Sequence, residues 1–431
     1  MFNMKINILW LRRDLRLDDN TALDNAVQSE IPVLVLFIFD SNIINELPED
    51  DARISFIHLK LSEINNYLIK LKSSLLIRHG DPEKIWNDLV SSYDINEVYV
   101  NKDYEPYAIE RDEKIVSILQ SAKIPLKSFK DQVIFEEGEI LKSDGSPYTV
   151  FTPYKKRWLQ KLNGDMPAAS DTVKYSENYF FRCENIFPQL SDLGFRESNI
   201  KVRPYDLSVI GIYHTDRDFP ARDKTSYLST HLRFGTVSIR KAVISAMENP
   251  VFLSELIWRE FFMQILFHFP RVVTENFRIK YDDIQWINNP IDFQKWTDGE
   301  TGYQIVDAGM RQLNKTGFMH NRVRMITSGF LCKHLLIDWR WGEAYFAQKL
   351  LDYELSSNVG NWQWAAGTGC DAAPYFRVFN PETQQKKFDP EKEYIRKWID
   401  DFDKESYPEK IVEHEFARQR AILTYRSGLK K

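Results

Sequence analysis

The feature that most constrains this chain is a change of hydrophobic pattern part-way along it. From residue 5 to about 130, short β-branched runs alternate with stretches whose apolar residues recur at helical spacing, which predicts a parallel sheet with crossover helices. INILWLRR, IPVLVLFIFD, SSLLIRHGD and INEVYVNKDY are the predicted strands, and Ser55 to Lys72, Pro82 to Tyr93 and Tyr107 to Gln120 the crossovers. Residues 1–130 are thus expected to form an α/β domain around a doubly wound parallel sheet. From Asp223 onward the alternating pattern disappears and helical runs such as VFLSELIWREFFMQILFHF and TGYQIVDAGMRQL take over, so residues 201–431 are expected to form an all-α domain. Between them, residues 131–200 hold the turn-rich KSDGSPYTVFTPY and a polar stretch from Gly164 to Asn178, which reads as an interdomain connector.

Composition narrows the function. At 431 residues and 43% apolar, the chain is long enough for real cores and has no uninterrupted apolar span fit to cross a bilayer. The start, MFNMKINILWLRRDLRL, sets its apolar run between charges, as a first strand does and a secretory signal does not, so a cytoplasmic protein is expected. Cys183, Cys332 and Cys370 lack the paired spacing of a zinc site or a disulfide framework, which predicts a reducing compartment and no structural metal. A net charge of −5 argues against coating nucleic acid through bulk electrostatics, so any DNA contact must be local.

Four stretches concentrate chemistry. Eight of eleven tryptophans follow residue 250, where single tryptophans usually pack a core but their neighbours here suggest more. Around residue 256, Leu253, Leu256, Ile257 and Phe261 form an apolar stripe, while Glu255, Trp258, Arg259 and Phe262 make another face that could line a pocket for a heterocycle. In GFMHNRVRMIT, Val323, Ile326 and Phe330 form a stripe and Asn321, Arg324 and Met325 share another side. Between Met310 and Trp341, Arg311, Lys315, Arg322, Arg324, Lys333 and Arg340 face one acid, Asp338, a candidate phosphate-contacting patch. The TSYLS run at 225–229 offers hydroxyls and backbone N–H groups ahead of a helix, a possible anion cradle, and residues 352–384 combine acids, glycines and tryptophans as a ligand loop would.

WLRRDLRLDDN at 10–20, RDFPARDKTSYLS at 217–229, SELIWREFF at 254–262, TGFMHNRVRM at 316–325 and NWQWAAGTGCDAAPYFRVFNP at 361–381 together resemble the photolyase and cryptochrome family, most closely microbial class I cyclobutane dimer photolyases. The similarity runs in order from residue 5 almost to the C-terminus, and the 361–381 string is the most specific part. The resemblance implies an N-terminal antenna domain and a helical domain binding FAD. It assigns Tyr213 and the run Thr225, Ser226, Tyr227, Leu228, Ser229 to the flavin phosphates and ribose, and Arg259, Asp352 and Glu354 to the ring side. Asn358 is assigned to the reactive N5 edge, where an amide hydrogen-bonds without imposing a charge. The family's usual second acid is aspartate; Glu354 stands there instead.

For the substrate, the resemblance assigns Glu255, Trp258, Asn321, Arg322, Met325 and Trp364 to a pocket for a lesion flipped out of DNA, with Gln384 as a further DNA contact. Glu255 would stabilise the dimer radical anion. The implied cycle passes an electron from excited reduced FAD to a cyclobutane pyrimidine dimer, breaks two bonds and returns the electron. Trp362, Trp339 and Trp286 match the family's chain of indoles that carries electrons in from the surface. Two other activities occur in the family. Repair of the (6-4) photoproduct needs a histidine pair, but here Asn321 follows His320 and Met325 stands where the second histidine is expected. Signalling cryptochromes generally add a C-terminal tail, whereas about thirty residues follow Trp398 here, and EHEFARQRAILTYRSG reads as a closing helix. A light-driven cyclobutane dimer photolyase acting as a monomer on damaged DNA is therefore the expectation. Whether a second chromophore is bound, and whether it is a deazaflavin or a second flavin, is left open, because Tyr107 and Ala108 replace the asparagine and glutamate of folate-using relatives.

Overall fold

The structure is a computed structural model and describes residues 4–164, 168–169 and 175–429. The chain forms two compact units: Met1–Glu139, Leu159–Pro204 and Leu228–Ser245 make the first, and Ile140–Trp158, Tyr205–Tyr227 and Ala246–Lys431 the second.

The first unit is built on five parallel strands, β1 (Ile6–Leu11), β2 (Val33–Asp40), β3 (Leu76–Gly80), β4 (Ile95–Asn101) and β5 (Leu126–Phe129), in the order β3-β2-β1-β4-β5. Helices α1 (Thr21–Val27), α2 (Ser41–Ile44), α3 (Ala52–Lys70), α4 (Pro82–Ser92) and α5 (Pro106–Ser121) lie between them in sequence. The strand order reverses at β1, where Leu9 stands opposite Val35 on one side and Tyr99 on the other. Side chains alternate across a strand, so Leu9 and Leu11 enter one core with Val35, Phe37 and Leu61 of α3. Ile8 and Trp10 enter a second core with Leu36, Trp86 of α4 and Ile115 of α5. Burial on both faces explains why β2 is apolar at seven consecutive positions before Asp40.

The predicted strands and crossovers are present with shifted ends. β1 stops at Leu11 because Arg12 and Arg13 leave the sheet for ion pairs with Asp112 and Asp103. β5 was not foreseen: LKSF has Lys127 and Ser128 exposed at the sheet edge, so it lacks an apolar run.

In the predicted connector, residues 165–167 and 170–174 lie outside the described residues. The turn-rich part gives way to helix α6 (Phe151–Gly164), whose start joins the second unit. There Trp158 Nε1 donates to the buried carboxylate of Glu260 at 2.6 Å. Three short helices follow, α7 (Tyr213–Asp216), α8 (Leu228–Arg233) and α9 (Ile239–Ala246).

The rest of the second unit is helical: α10 (Pro250–His268), α11 (Pro290–Asp298), α12 (Gln304–Thr316), α13 (Asn321–Gly329), α14 (Trp339–Lys349), α15 (Leu355–Ala366), α16 (Pro381–Phe388), α17 (Glu393–Trp398) and α18 (His414–Gly428). Asn249 caps α10 by accepting from Val251 and Phe252 N–H, with Pro250 in the first turn. Leu253, Leu256, Ile257 and Phe261 are buried as their spacing predicts. Phe262, which the helical spacing groups with Glu255 and Arg259, is buried too, because α15 covers that side of α10. The approach is close: a Cβ on Gly360 of α15 would lie 2.2 Å from the Phe262 ring. On another side of α15, a Cβ on Gly342 of α14 would meet Trp362 at 2.1 Å. Two glycines therefore let α15, which carries the densest set of candidate site residues, sit against both neighbours. Among the described residues no helix is long and apolar enough to cross a membrane.

Candidate functional site

A cavity of about 100 Å³ opens in the second unit between α13, the end of α14 and α15. Asn321, Arg324, Met325 and Ser328 line it from α13, Phe346 and Leu350 from α14, and Asp352, Tyr353 and Glu354 from the connecting turn. Ser357, Asn358, Asn361, Trp362 and Trp364 complete it from α15. Eight residues singled out in the sequence thus converge here: Asn321, Arg324, Met325, Asp352, Glu354, Asn358, Trp362 and Trp364.

The polar lining is held by specific pairs. Arg324 meets Asp352 at 2.9 Å, and Arg259 of α10 meets the buried Glu354 at 3.0 Å. The longer glutamate thus reaches its arginine, and Ser357 Oγ donates to its other oxygen at 3.2 Å. The Asn358 amide donates to the Glu343 carboxylate at 2.8 Å and to the Glu343 carbonyl at 3.1 Å. Burial pushes the Glu343 carboxyl up, with the Asn358 bond opposing.

Other candidates lie in the same unit but do not line the cavity. Glu255 pairs with Arg217 at 2.7 Å; burial raises its pKa and the guanidinium opposes that shift. Arg217 also lies over the ring of Tyr213, which is edge-on to Phe252. Trp258 stacks on Phe151 with centroids 3.6 Å apart and on Phe262 at 5.4 Å, so its ring is engaged within the protein. Arg322 pairs with Asp218 at 2.6 Å and lies over Phe388, and its Nη1 approaches the Met325 sulfur at 3.6 Å. Gln384 sits half-buried on α16. Trp339 shares a buried core with the cavity-lining Trp362, and Trp286 packs against it, edge-on to Tyr425.

Of the TSYLS run, Thr225, Ser226 and Tyr227 belong to the second unit, and Leu228 and Ser229 open α8 in the first. Tyr227 adopts a positive φ of 50° and bonds Asp223 through its hydroxyl. Among the described residues, Thr225 Oγ1 is buried without a hydrogen-bond partner.

The basic stretch from Met310 to Trp341 does not form the expected open patch. Arg311 pairs with Asp401, Arg322 with Asp218, Arg324 with Asp352 and Arg340 with Asp338, while Lys333 is buried; Lys315 alone of the six is exposed. Counting charges along the chain cannot register acids that arrive from elsewhere in the fold.

Arg217, Asp218, Glu343 and Phe151 were missed as site residues. Arg217 and Asp218 lie in an irregular stretch with no periodicity, and Phe151 in the presumed connector. Glu343 could have been found only by pairing α14 with α15. Ser357 and Asn361, an i, i+4 pair beside Asn358, were within reach of helical spacing.

Comparison with known proteins gives these features a context. Residues 7–172 match the family described as DNA photolyase, and residues 252–406 the FAD binding domain of DNA photolyase. A deoxyribodipyrimidine photo-lyase of Halobacterium salinarum is 34% identical, the match covering 97% of this chain and 98% of that protein. The Escherichia coli enzyme of the same name is 35% identical over 99% of this chain and all of its own length. The crystal structure of a bacterial class III photolyase from Agrobacterium tumefaciens superposes with a TM-score of 0.87 at 32% identity, covering 100% of this chain and 99% of that one. An archaeal photolyase from Sulfolobus tokodaii, solved with two FAD molecules, gives 0.85 at 34% identity, covering 98% and 100%. With relatives at this identity along almost its whole length, the chain belongs to the photolyase and cryptochrome family, and its helical unit carries that family's FAD-binding domain.

Proposed function

We propose that this protein repairs cyclobutane pyrimidine dimers in DNA, driven by blue light and bound FAD. The observation that carries the reading is that residues assigned to the flavin ring (Asp352, Glu354, Asn358) and residues assigned to the lesion (Asn321, Met325, Trp364) line one cavity. Electron transfer between a flavin and a dimer needs that adjacency, since its rate falls steeply with distance.

The residues present fit a flavin dinucleotide. A buried hydroxyl left unpaired costs about 1–3 kcal/mol, and Thr225 Oγ1, in the run assigned to the phosphates, is such a group. A phosphate oxygen is the acceptor it lacks. Tyr213, Ser226 and Tyr227 of the same unit would complete that part of the site. The Arg259–Glu354 and Arg324–Asp352 pairs present donors and acceptors side by side, as recognition of a ring carrying both N–H and C=O requires. When bound and fully reduced, FAD supplies a light-excited electron donor, which no side chain provides.

The protein's own groups have four tasks. Asn358, oriented by Glu343, offers an uncharged contact at the ring edge. Glu255 hydrogen-bonds the flipped dimer and stabilises its added negative charge; burial favours its protonated, donating form, and Arg217 must share or yield it. Trp258, Arg322, Trp364 and Gln384 bind the lesion strand, Trp258 through its ring edge. Trp362, Trp339 and Trp286 relay an electron inward when the cofactor arrives oxidised. On taking up one electron the dimer breaks the two cyclobutane bonds that join its pyrimidines and gives the electron back, so there is no net redox change.

The relative solved with two FAD molecules supports a second chromophore here. Tyr107, at the position where folate users carry asparagine, donates to Asp40 at 2.6 Å, which favours a chromophore other than folate. A monomer in the cytoplasm fits this role.

The test is repair of a thymine-dimer oligonucleotide by the reduced protein under blue light, with a dark control and a (6-4) substrate alongside. Light-dependent loss of the cyclobutane dimer alone is expected. Flavin absorbance with repair of neither lesion would overturn the reading in favour of a photoreceptor.

A further inference from the structure

Beyond α13 the chain makes one π-helical turn, Phe330–His334, and buries a lysine in it. Lys333 is 3% exposed and, among the described residues, has no ion pair. Its Nζ instead donates to the backbone carbonyl of Arg377 at 3.0 Å. Burying an ammonium without a carboxylate is costly, and irregular helical turns of this kind recur at functional sites.

Arg377 lies in the segment 367–380, which links Trp364 on α15 to Gln384 on α16. That segment is fastened from inside at several points. Cys370 O accepts from Arg278 at 3.0 Å, and Asp371 accepts from the Phe151 N–H at 3.0 Å. The Tyr375 ring stacks on Tyr425 of α18 at 5.8 Å, almost parallel. Between Pro374 and Arg377 the backbone turns, Arg377 N–H bonding Pro374 O at 2.9 Å. Outward from this turn project Phe376, 59% exposed, and the exposed Arg377 side chain. An apolar ring and a guanidinium held between a lesion-pocket residue and a DNA-contact residue suit a distorted strand beside an extruded dimer.

We infer that Lys333 is a positioning residue for damaged DNA: by holding the Arg377 carbonyl from within, it fixes the Pro374–Arg377 turn so that Phe376 and Arg377 meet the lesion-bearing strand in a preset geometry. The inference rests on the repair reading above. Ordering the turn in advance removes an entropic cost from binding. The interaction also titrates. Desolvation lowers the Lys333 pKa to about 8, with Cys332 opposing and Arg377 adding to the shift. His334 adjoins it on the same turn, and Arg420 and Tyr425 of α18 lie against that turn. Loss of the proton weakens a charge-assisted bond, so lesion binding should weaken as pH rises through about 8.

The test is binding in the dark, by fluorescence anisotropy, of flavin-loaded protein to a thymine-dimer oligonucleotide and its undamaged counterpart. Wild type, Lys333→Met and Lys333→Gln are compared from about pH 7 to about pH 9.5. Lys333→Met should weaken dimer binding about tenfold and leave undamaged DNA within about twofold. Lys333→Gln retains an uncharged donor, so it should restore much of the affinity and lose the alkaline decline. Dimer affinity of Lys333→Met equal to wild type, or a Lys333→Gln profile that declines as wild type does, would overturn the inference alone. If Lys333→Met fails to fold, the Lys333→Gln profile decides. Wild type binding both DNAs equally would overturn the repair reading and this inference together.

Discussion

At the scale of single residues, the site works through pairs that set what each group can do. Glu255 is held by Arg217 and Asn358 by Glu343, and the proposed cycle gives the two carboxyls different tasks. Replacing Glu255 with alanine should cut repair about tenfold, the order expected when one partner of a partly desolvated charged pair is lost, while flavin content stays near wild type. Asn358→Ala strands the Glu343 carboxyl and should chiefly change which flavin redox states persist. Absorbance ratios of the purified variants, with a redox titration of each, read both effects; equal flavin loss from the two would sink this division of roles. Glu255, Trp258 and Arg259 were legible as candidates because an acid, an indole and a cation share one helix face. Their partners were not, since two helices separate Arg217 from the helix that carries Glu255, and four separate Arg259 from Glu354.

At the scale of elements, α15 is the piece on which the site depends, and its placement is a matter of backbone approach. Gly360 and Gly342 sit where any Cβ would collide with Phe262 and Trp362. Gly360→Ala should therefore destabilise the fold by about 1–3 kcal/mol through overpacking. Thermal unfolding would show a lowered Tm, and flavin retention should fall with it because Asn358 lies half a turn away; an unchanged Tm would mean that α10 yields freely to α15. The amphipathic stripe of α10 was readable from its spacing, yet the burial of Phe262 was not, because a helix covered on more than one side departs from a single stripe. β5 escaped notice for the opposite reason: an edge strand needs few apolar residues, and Lys127 and Ser128 hide it. The start of α6 likewise lay inside a stretch that turn residues had marked as linker.

At the scale of the molecule, stability should depend on acidity. His320, which caps α13, and His334, bonded to His414 at 2.9 Å, are buried and neutral, with burial lowering their pKa values to about 4 and about 3. Both lie below the ordinary histidine value, so the unfolded chain binds more protons between that value and these. Stability is thus full above about pH 6.5 and declines as pH falls toward 4, by on the order of 3 kcal/mol for His320. Denaturant titrations across this range check it, and His320→Asn, whose amide oxygen can take the place of Nδ1 as cap acceptor, should flatten the decline. The sequence by itself determined the parallel sheet, the switch to helices, the family and most of the residues that meet at the cavity, because periodicity, local motifs and residue chemistry are written in neighbouring positions. Only the tertiary structure decided which charges remain available. Five of the six basic residues between Met310 and Trp341 are paired or buried, and Lys333 holds a distant carbonyl, because pairing and desolvation depend on what the fold brings close and not on what stands nearby in the chain.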